Sequence, residues 1–180
     1  MIDLHQRQAG VLLHVTSLPG PNGIGDFGPD AFRFVDWLNS AGQKIWQWLP
    51  TTPIGPGDSP YQSVSAFAGS PLMVALEPLV LSGWLDPPKL PNNGFDPLRV
   101  DFGHVVPWRL AQLRLAYQGF IVKNDLTEQQ AFADWRKQEA SWLDDYSLFM
   151  ALETENQGKA WWHWPDAECR RVAQALNDAR

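Results

Sequence analysis

Cysteine is almost missing: Cys169 stands alone in 180 residues. No internal disulfide can form, and the chain fits a reducing compartment, the cytoplasm. Basic residues are also few, with 14 Lys and Arg against 20 Asp and Glu, a net charge of −6 and a pI near 5.1. That balance, without a basic cluster, argues against nucleic acid as a partner and against an anionic membrane surface. The opening MIDLHQRQ has no apolar leader segment, and no later apolar run approaches membrane-spanning length. The four histidines are scattered, with no i, i+4 pair, so neither a metal nor a cofactor is expected. Repeats and low-complexity segments are lacking as well.

Tryptophan, by contrast, is abundant: ten residues, within an aromatic content of 12%. The length suits about one domain with a substantial core. Most aromatics in such a chain are core, and they point to a ligand only when they sit beside polar groups in loops. One segment, residues 50–71, meets that condition. It runs Gly55-Pro-Gly-Asp-Ser-Pro-Tyr-Gln-Ser-Val-Ser-Ala-Phe-Ala-Gly-Ser-Pro71 and is too long for a simple connection. Tyr61, Val64 and Phe67 are expected to anchor it as a packed Ω-loop. Asp58, Ser59, Tyr61 and Gln62 place carboxylate, hydroxyl and amide groups beside an aromatic face. A sugar needs such a set: polar groups at its rim and a ring face against its C–H groups. The same composition also suits a purely structural loop.

The surrounding pattern is α/β. Residues 11–15 and 44–49 are short, nearly continuous apolar runs, which read as strands buried on both faces in a parallel sheet. Between them Pro29 and Asp30 open a helix whose stripe is Ala31, Phe34, Val35, Leu38 and Ala41, stopped at Gly42. The result is a β-α-β unit. The long loop leaves the C-terminal end of its second strand, the edge that carries ligands in parallel α/β folds. Residues 72–76 form another apolar run, and residues 78–82 a helical turn stopped by Gly83. Residues 84–101 read as a Pro/Asn/Gly-rich excursion.

Helices follow. One spans residues 107–118 and ends at Gly119. Another starts in a capping box with Thr127 as cap and Gln130 reaching back. Ser141 is expected to cap a third, with Leu143, Tyr146, Phe149 and Met150 inward. Residues 153–158 read as a polar loop. Pro165 opens a last helix with the stripe Cys169, Val172, Ala173 and Leu176. Two or three βα units cannot close an eight-stranded barrel, which needs about 250 residues.

Other candidate chemistry is weaker. Gly23-Ile-Gly-Asp-Phe-Gly28 fits the dinucleotide-binding glycine pattern. However, residues 16–22 separate it from the strand, Asp26 would face the pyrophosphate, and no acidic residue ends the second strand. A structural turn is the better reading. His14, inside an apolar run, is more often a hydrogen-bonded core histidine than a catalyst. Ser59 lacks nucleophile-elbow glycines. Trp161, Trp162 and Trp164 could form a sugar platform, although core is the commoner role. Cys169 reads as packing. Asp58 is the best-placed carboxylate, but one carboxylate is no acid/base pair.

Taken together, several segments resemble the amylomaltases, the bacterial 4-α-glucanotransferases related to plant disproportionating enzyme. They are Ala9-Gly-Val-Leu-Leu-His-Val-Thr-Ser-Leu-Pro-Gly-Pro-Asn-Gly-Ile-Gly-Asp-Phe-Gly28, Ala41-Gly-Gln-Lys-Ile-Trp-Gln-Trp-Leu-Pro50, Gly57-Asp-Ser-Pro-Tyr-Gln-Ser-Val-Ser-Ala-Phe-Ala-Gly-Ser-Pro71, Trp142-Leu-Asp-Asp-Tyr-Ser-Leu-Phe-Met-Ala-Leu152 and Trp161-Trp-His-Trp-Pro165. The likeness implies the N-terminal part of a (β/α)8 TIM barrel with a helical insertion: residues 1–84 as the first βα units, residues 85–180 as mainly helical insertion. It implies transfer of α-1,4-glucan segments between maltooligosaccharides, with glucose as an acceptor, by a retaining double displacement. The family's catalytic Asp nucleophile, Glu acid/base and second Asp correspond to positions after Arg180, in the C-terminal part of the barrel that this chain lacks. The catalytic carboxylates are therefore expected to be absent here, and the chain to be inactive alone. Ser59 and Tyr61 carry over as donor-sugar contacts, with Asp58 and Gln62 supporting them. Pro56 and Ser70 stand where many members have Tyr and Asn. A glucan-binding remnant without catalysis, or a related α-glucan hydrolase, is the alternative reading.

Overall fold

The computed structural model describes residues 7–88, 94–96 and 98–179. Its chain divides into two compact units, Met1–Asp125 and Leu126–Arg180.

In the first unit, strand β1 (Gly10–Leu12) leads through helix α1 (Pro29–Ser40) to strand β2 (Ile45–Gln47). The strands are parallel, with Gly10 opposite Ile45, Val11 opposite Trp46 and Leu12 opposite Gln47. A parallel pair requires a crossover, and α1 supplies it. Pro29 takes the first helical position with Asp30 in the first turn. Past the helix, Gly42 adopts a left-handed φ of 72° that favours glycine. Ala31 and Leu38 are buried and Phe34 is half-buried, while Val35 and Ala41 are exposed. The apolar stripe is therefore narrower than expected.

Both strands are shorter than their apolar runs. After Leu12 the chain turns into a 3-10 turn at Val15–Ser17, which buries Val15 completely. Burial of the strands on both faces is not observed, and Leu12 is 61% exposed. Each strand has a single paired neighbour among the described residues. Trp46 fastens the pair by donating its indole N–H to the Leu13 carbonyl at 2.7 Å. Edge-to-face contacts with Phe34 and Trp48, at 4.9 and 5.1 Å, pack the same ring.

The apolar run at residues 72–76 is no strand. It forms a 3-10 turn at Pro71–Met73, capped by the Ser70 hydroxyl accepting from the Leu72 N–H. Its apolar residues instead fill the core, where Leu72, Met73 and Leu76 are buried. Helix α2 (Glu77–Leu81) follows, and Gly83 takes a φ of 69° just after it. Of the excursion at residues 84–101, residues 89–93 and 97 lie outside the described residues. The rest carries no helix or strand up to residue 101.

Helix α3 (Phe102–Lys123) overruns the expected helix at both ends. Pro107 lies inside its second turn instead of opening it, where a missing N–H forfeits one hydrogen bond. Gly119 does not stop it. The helix ends at Asn124, with φ 48°. Gly119 serves close approach, because a Cβ there would stand 1.9 Å from the Trp84 carbonyl oxygen. The unit's core comprises two clusters, Ile24, Leu72 and Val105, and then Leu76, Leu85 and Ala116.

In the second unit, helix α4 (Leu126–Glu155) is continuous over 30 residues. Thr127 is its second residue and not its cap, and Gln130 turns forward, its side-chain amide donating to Asp134. Ser141 lies exposed in the helix interior, where a serine is tolerated facing water, so no second helix starts there. Leu143, Tyr146, Phe149 and Met150 are half-buried, while the fully buried residues are Leu148 and Leu152. Left-handed Gln157 and Gly158 form the turn after α4. The expected last helix is broken in two, α5 (Asp166–Cys169) and α6 (Ala173–Asp178). Arg171, at φ 52°, interrupts it and leaves Val172 45% exposed.

Candidate functional site

Loop 50–71 is closed at its base, where the Ser70 N–H donates to the Thr51 carbonyl at 2.7 Å. Within it, Gly55 and Ser59 pair across a tight turn, the Gly55 N–H donating to the Ser59 carbonyl at 3.0 Å. Pro56 starts the intervening 3-10 turn, and Gly57 and Asp58 both take left-handed backbone angles, φ 69° and 58°. Asp tolerates that region better than most residues. Gly55 is required by crowding, since a Cβ would fall 1.8 Å from the Gln62 carbonyl oxygen.

The expected apolar anchoring of this loop is not what holds it. Tyr61 is 70% exposed, Phe67 74% and Val64 50%. Serine hydroxyls hold it instead. Ser59 Oγ accepts from the Tyr61 N–H, and Ser63 Oγ accepts from the Ser65 N–H while donating to the Ser65 carbonyl. Ser65 Oγ accepts from the N–H groups of Phe67 and Ala68, both at 3.1 Å. Short polar side chains satisfy the loop backbone locally, and the Tyr61 ring is left mostly to solvent.

Asp58, Ser59, Tyr61 and Gln62 thus fall on one tight turn, Ser59 half-buried and the other three exposed. Together they offer a phenol ring, two hydroxyls, an amide and a carboxylate. That set can recognise a polyol. It cannot supply an acid/base pair, because Asp58 is its only carboxylate and retaining glycosyl chemistry needs two about 5–5.5 Å apart.

The glycine pattern at residues 23–28 is a structural turn. A Cβ on Gly25 would stand 2.1 Å from the Val15 carbonyl oxygen. Asp26 Oδ1 accepts from the Gly28 N–H at 2.9 Å. Asp26 Oδ2 pairs with Arg109 Nη2 at 3.0 Å. Burial raises the Asp26 carboxyl above its ordinary value, and the Arg109 guanidinium works against that rise. Arg109, wholly buried, was not singled out from the sequence. Its signal there is faint: one cation inside the apolar run from Val105 to Leu113.

His14 follows β1, half-buried, and its Nδ1 finds no hydrogen-bond partner among the described residues. Burial lowers its pKa from 6.5. Of the three candidate platform tryptophans, Trp164 is core, with its indole N–H donating to the Lys159 carbonyl at 2.6 Å. Trp161 and Trp162 are exposed. Cys169 packs beside Leu148, Leu152 and Trp164, and its thiol donates to the Trp161 carbonyl at 2.7 Å. Among the described residues no group of three His, Cys, Asp or Glu could hold a metal. None of the described helices is long and apolar enough to cross a membrane.

A family model described as 4-alpha-glucanotransferase matches residues 13–180. The 4-alpha-glucanotransferase of Thermus thermophilus is 45% identical over 174 residues, covering 97% of this chain and 34% of that protein. The enzyme of the same description from Synechocystis is 39% identical over 175 residues, covering 96% and 34%. Among solved structures, the amylomaltase from Streptococcus agalactiae in complex with acarbose superposes with a TM-score of 0.89 at 39% identity. It covers 97% of this chain and 35% of that one. The chain therefore spans about a third of the length of the curated relatives it matches.

Proposed function

Since the chain belongs to the 4-alpha-glucanotransferase family, we propose that it forms the amino-terminal portion of an enzyme that moves α-1,4-glucan segments between maltooligosaccharides. The parallel β-α-β unit is then the start of a (β/α)8 barrel. Residues 1–84 provide the first βα units, and residues 85–180 a mainly helical insertion. The reacting carboxylates come from later barrel segments: one attacks the anomeric carbon, one protonates the leaving oxygen and later deprotonates the acceptor hydroxyl. Two inversions at the same carbon give retention.

In this scheme loop 50–71 contributes recognition. Tyr61 presents its ring to the C–H face of a donor sugar, and Ser59 hydrogen-bonds a sugar hydroxyl. Asp58 and Gln62 support the turn that aims them. A relative solved with acarbose at 39% identity supports the assignment. The observation that carries it is the 70% exposure of Tyr61 on a loop whose backbone is satisfied without it. A ring left mostly to solvent is available for a ligand.

The test is Tyr61→Ala in the full-length enzyme. Loss of an aromatic contact worth about 1 kcal/mol lowers donor kcat/KM roughly fivefold. An unchanged kcat/KM removes Tyr61 from the site.

A further inference from the structure

The donor loop is suspended between two fixed points, and one is gripped by a side chain far away in sequence. Three residues past the Ser70–Thr51 closure, the Met73 carbonyl accepts from the Phe27 N–H at 3.1 Å. One residue further, the Val74 carbonyl accepts from Arg109 Nη2 at 2.5 Å. The same nitrogen pairs with Asp26 Oδ2, whose other oxygen is held by the Gly28 N–H. Arg109 thus joins three pieces of the first unit: helix α3, the turn at residues 23–28 and the strap at residues 70–76 that anchors the donor loop.

Stability alone explains this arrangement poorly. Arg109 Nε and Nη1 have no partner among the described residues, and neither does the buried Glu77 Oε2. A buried ion pair left partly unsatisfied is a weak stabiliser compared with apolar side chains of the same volume. What such a pair does provide is a defined geometry, because a guanidinium bonds its acceptors in one plane and at fixed angles.

We propose that Arg109 is a positioning residue for donor recognition: by holding Val74 and Asp26 it fixes the base of loop 50–71, and so the placement of Ser59 and Tyr61. This inference rests on the reading of that loop as a donor contact. Arg109 touches no substrate, so removing it loosens the aim of Tyr61 and leaves the reacting carboxylates intact.

The experiment is a double-mutant cycle in the full-length enzyme with maltotriose as donor, combining Arg109→Met and Tyr61→Ala. The expected result is that Arg109→Met raises donor KM about fivefold, with kcat per folded enzyme within about twofold. Added to Tyr61→Ala, it changes KM by less than about twofold, since residues acting through one contact are not additive. A lowered thermal midpoint with unchanged KM overturns the proposal, as do KM effects that multiply in full. If Tyr61→Ala alone has no effect, the loop reading falls and takes this inference with it. If Tyr61→Ala acts and Arg109→Met does not, only this inference falls. Should Arg109→Met not fold, Asp26→Asn/Arg109→Met, which removes both buried charges together, is measured in its place and judged by the same outcomes.

Discussion

Tyr61 and His14 stand in opposite solvation states, and each has a measurable consequence. Tyr61 keeps its ring mostly in water while its backbone N–H donates to the Ser59 hydroxyl. His14 is half-buried with Nδ1 unpartnered among the described residues, and burial holds its pKa below 6.5. The folded chain therefore takes up that proton less readily than the unfolded one. The contribution of His14 is complete above 6.5 and is lost as pH falls through the unfolded value toward the lowered one. We expect the thermal midpoint of the full-length enzyme to fall between about pH 7.5 and 5.5, and to fall less in His14→Gln. Equal falls in both proteins would contradict this. Ser59, Tyr61, Asp58 and Gln62 were legible as a polar-aromatic cluster because loop composition shows in the sequence. Arg109 was not. A cation in a helix normally faces water, and only the tertiary approach of Asp26 and Val74 turns it inward.

At the scale of elements, glycine gave the clearest and the most misleading signals. Gly42 and Gly83 mark turns after helices, each at positive φ. Gly119 has the same identity and a different reason: the backbone of Trp84 packs against it inside α3. Gly119→Ala should therefore lower stability, although alanine exceeds glycine in helix propensity by about 1 kcal/mol. A chemical-denaturation midpoint at or above that of the unsubstituted enzyme would disprove this. Long-range packing also explains the other misplaced boundaries. Ser141 and Thr127 carry the chemistry of caps, yet α4 runs from Leu126 through both. Helix α4 is read from sequence as two helices because capping preference is local, while the packing of Leu148 and Leu152 against Trp164 is not. Residues 72–76 look like a strand because buried residues are apolar whatever their backbone.

For the whole molecule, the parallel order of β1 and β2 and the crossover helix were legible, since apolar runs separated by an amphipathic helix leave few alternatives. The break in the last helix at Arg171 was not, because no sequence pattern there demands a left-handed residue. Membership of the 4-alpha-glucanotransferase family rests on a match over residues 13–180 and on relatives of which this chain spans about a third. We propose that a recognition loop here works with reacting carboxylates supplied by the remainder of a barrel. On that proposal the complete enzyme transfers rather than hydrolyses, and incubation of the full-length enzyme with maltotriose distinguishes the two. Glucose together with a ladder of shorter and longer maltooligosaccharides is the predicted product pattern. Glucose and maltose with nothing longer than the starting trisaccharide would contradict it.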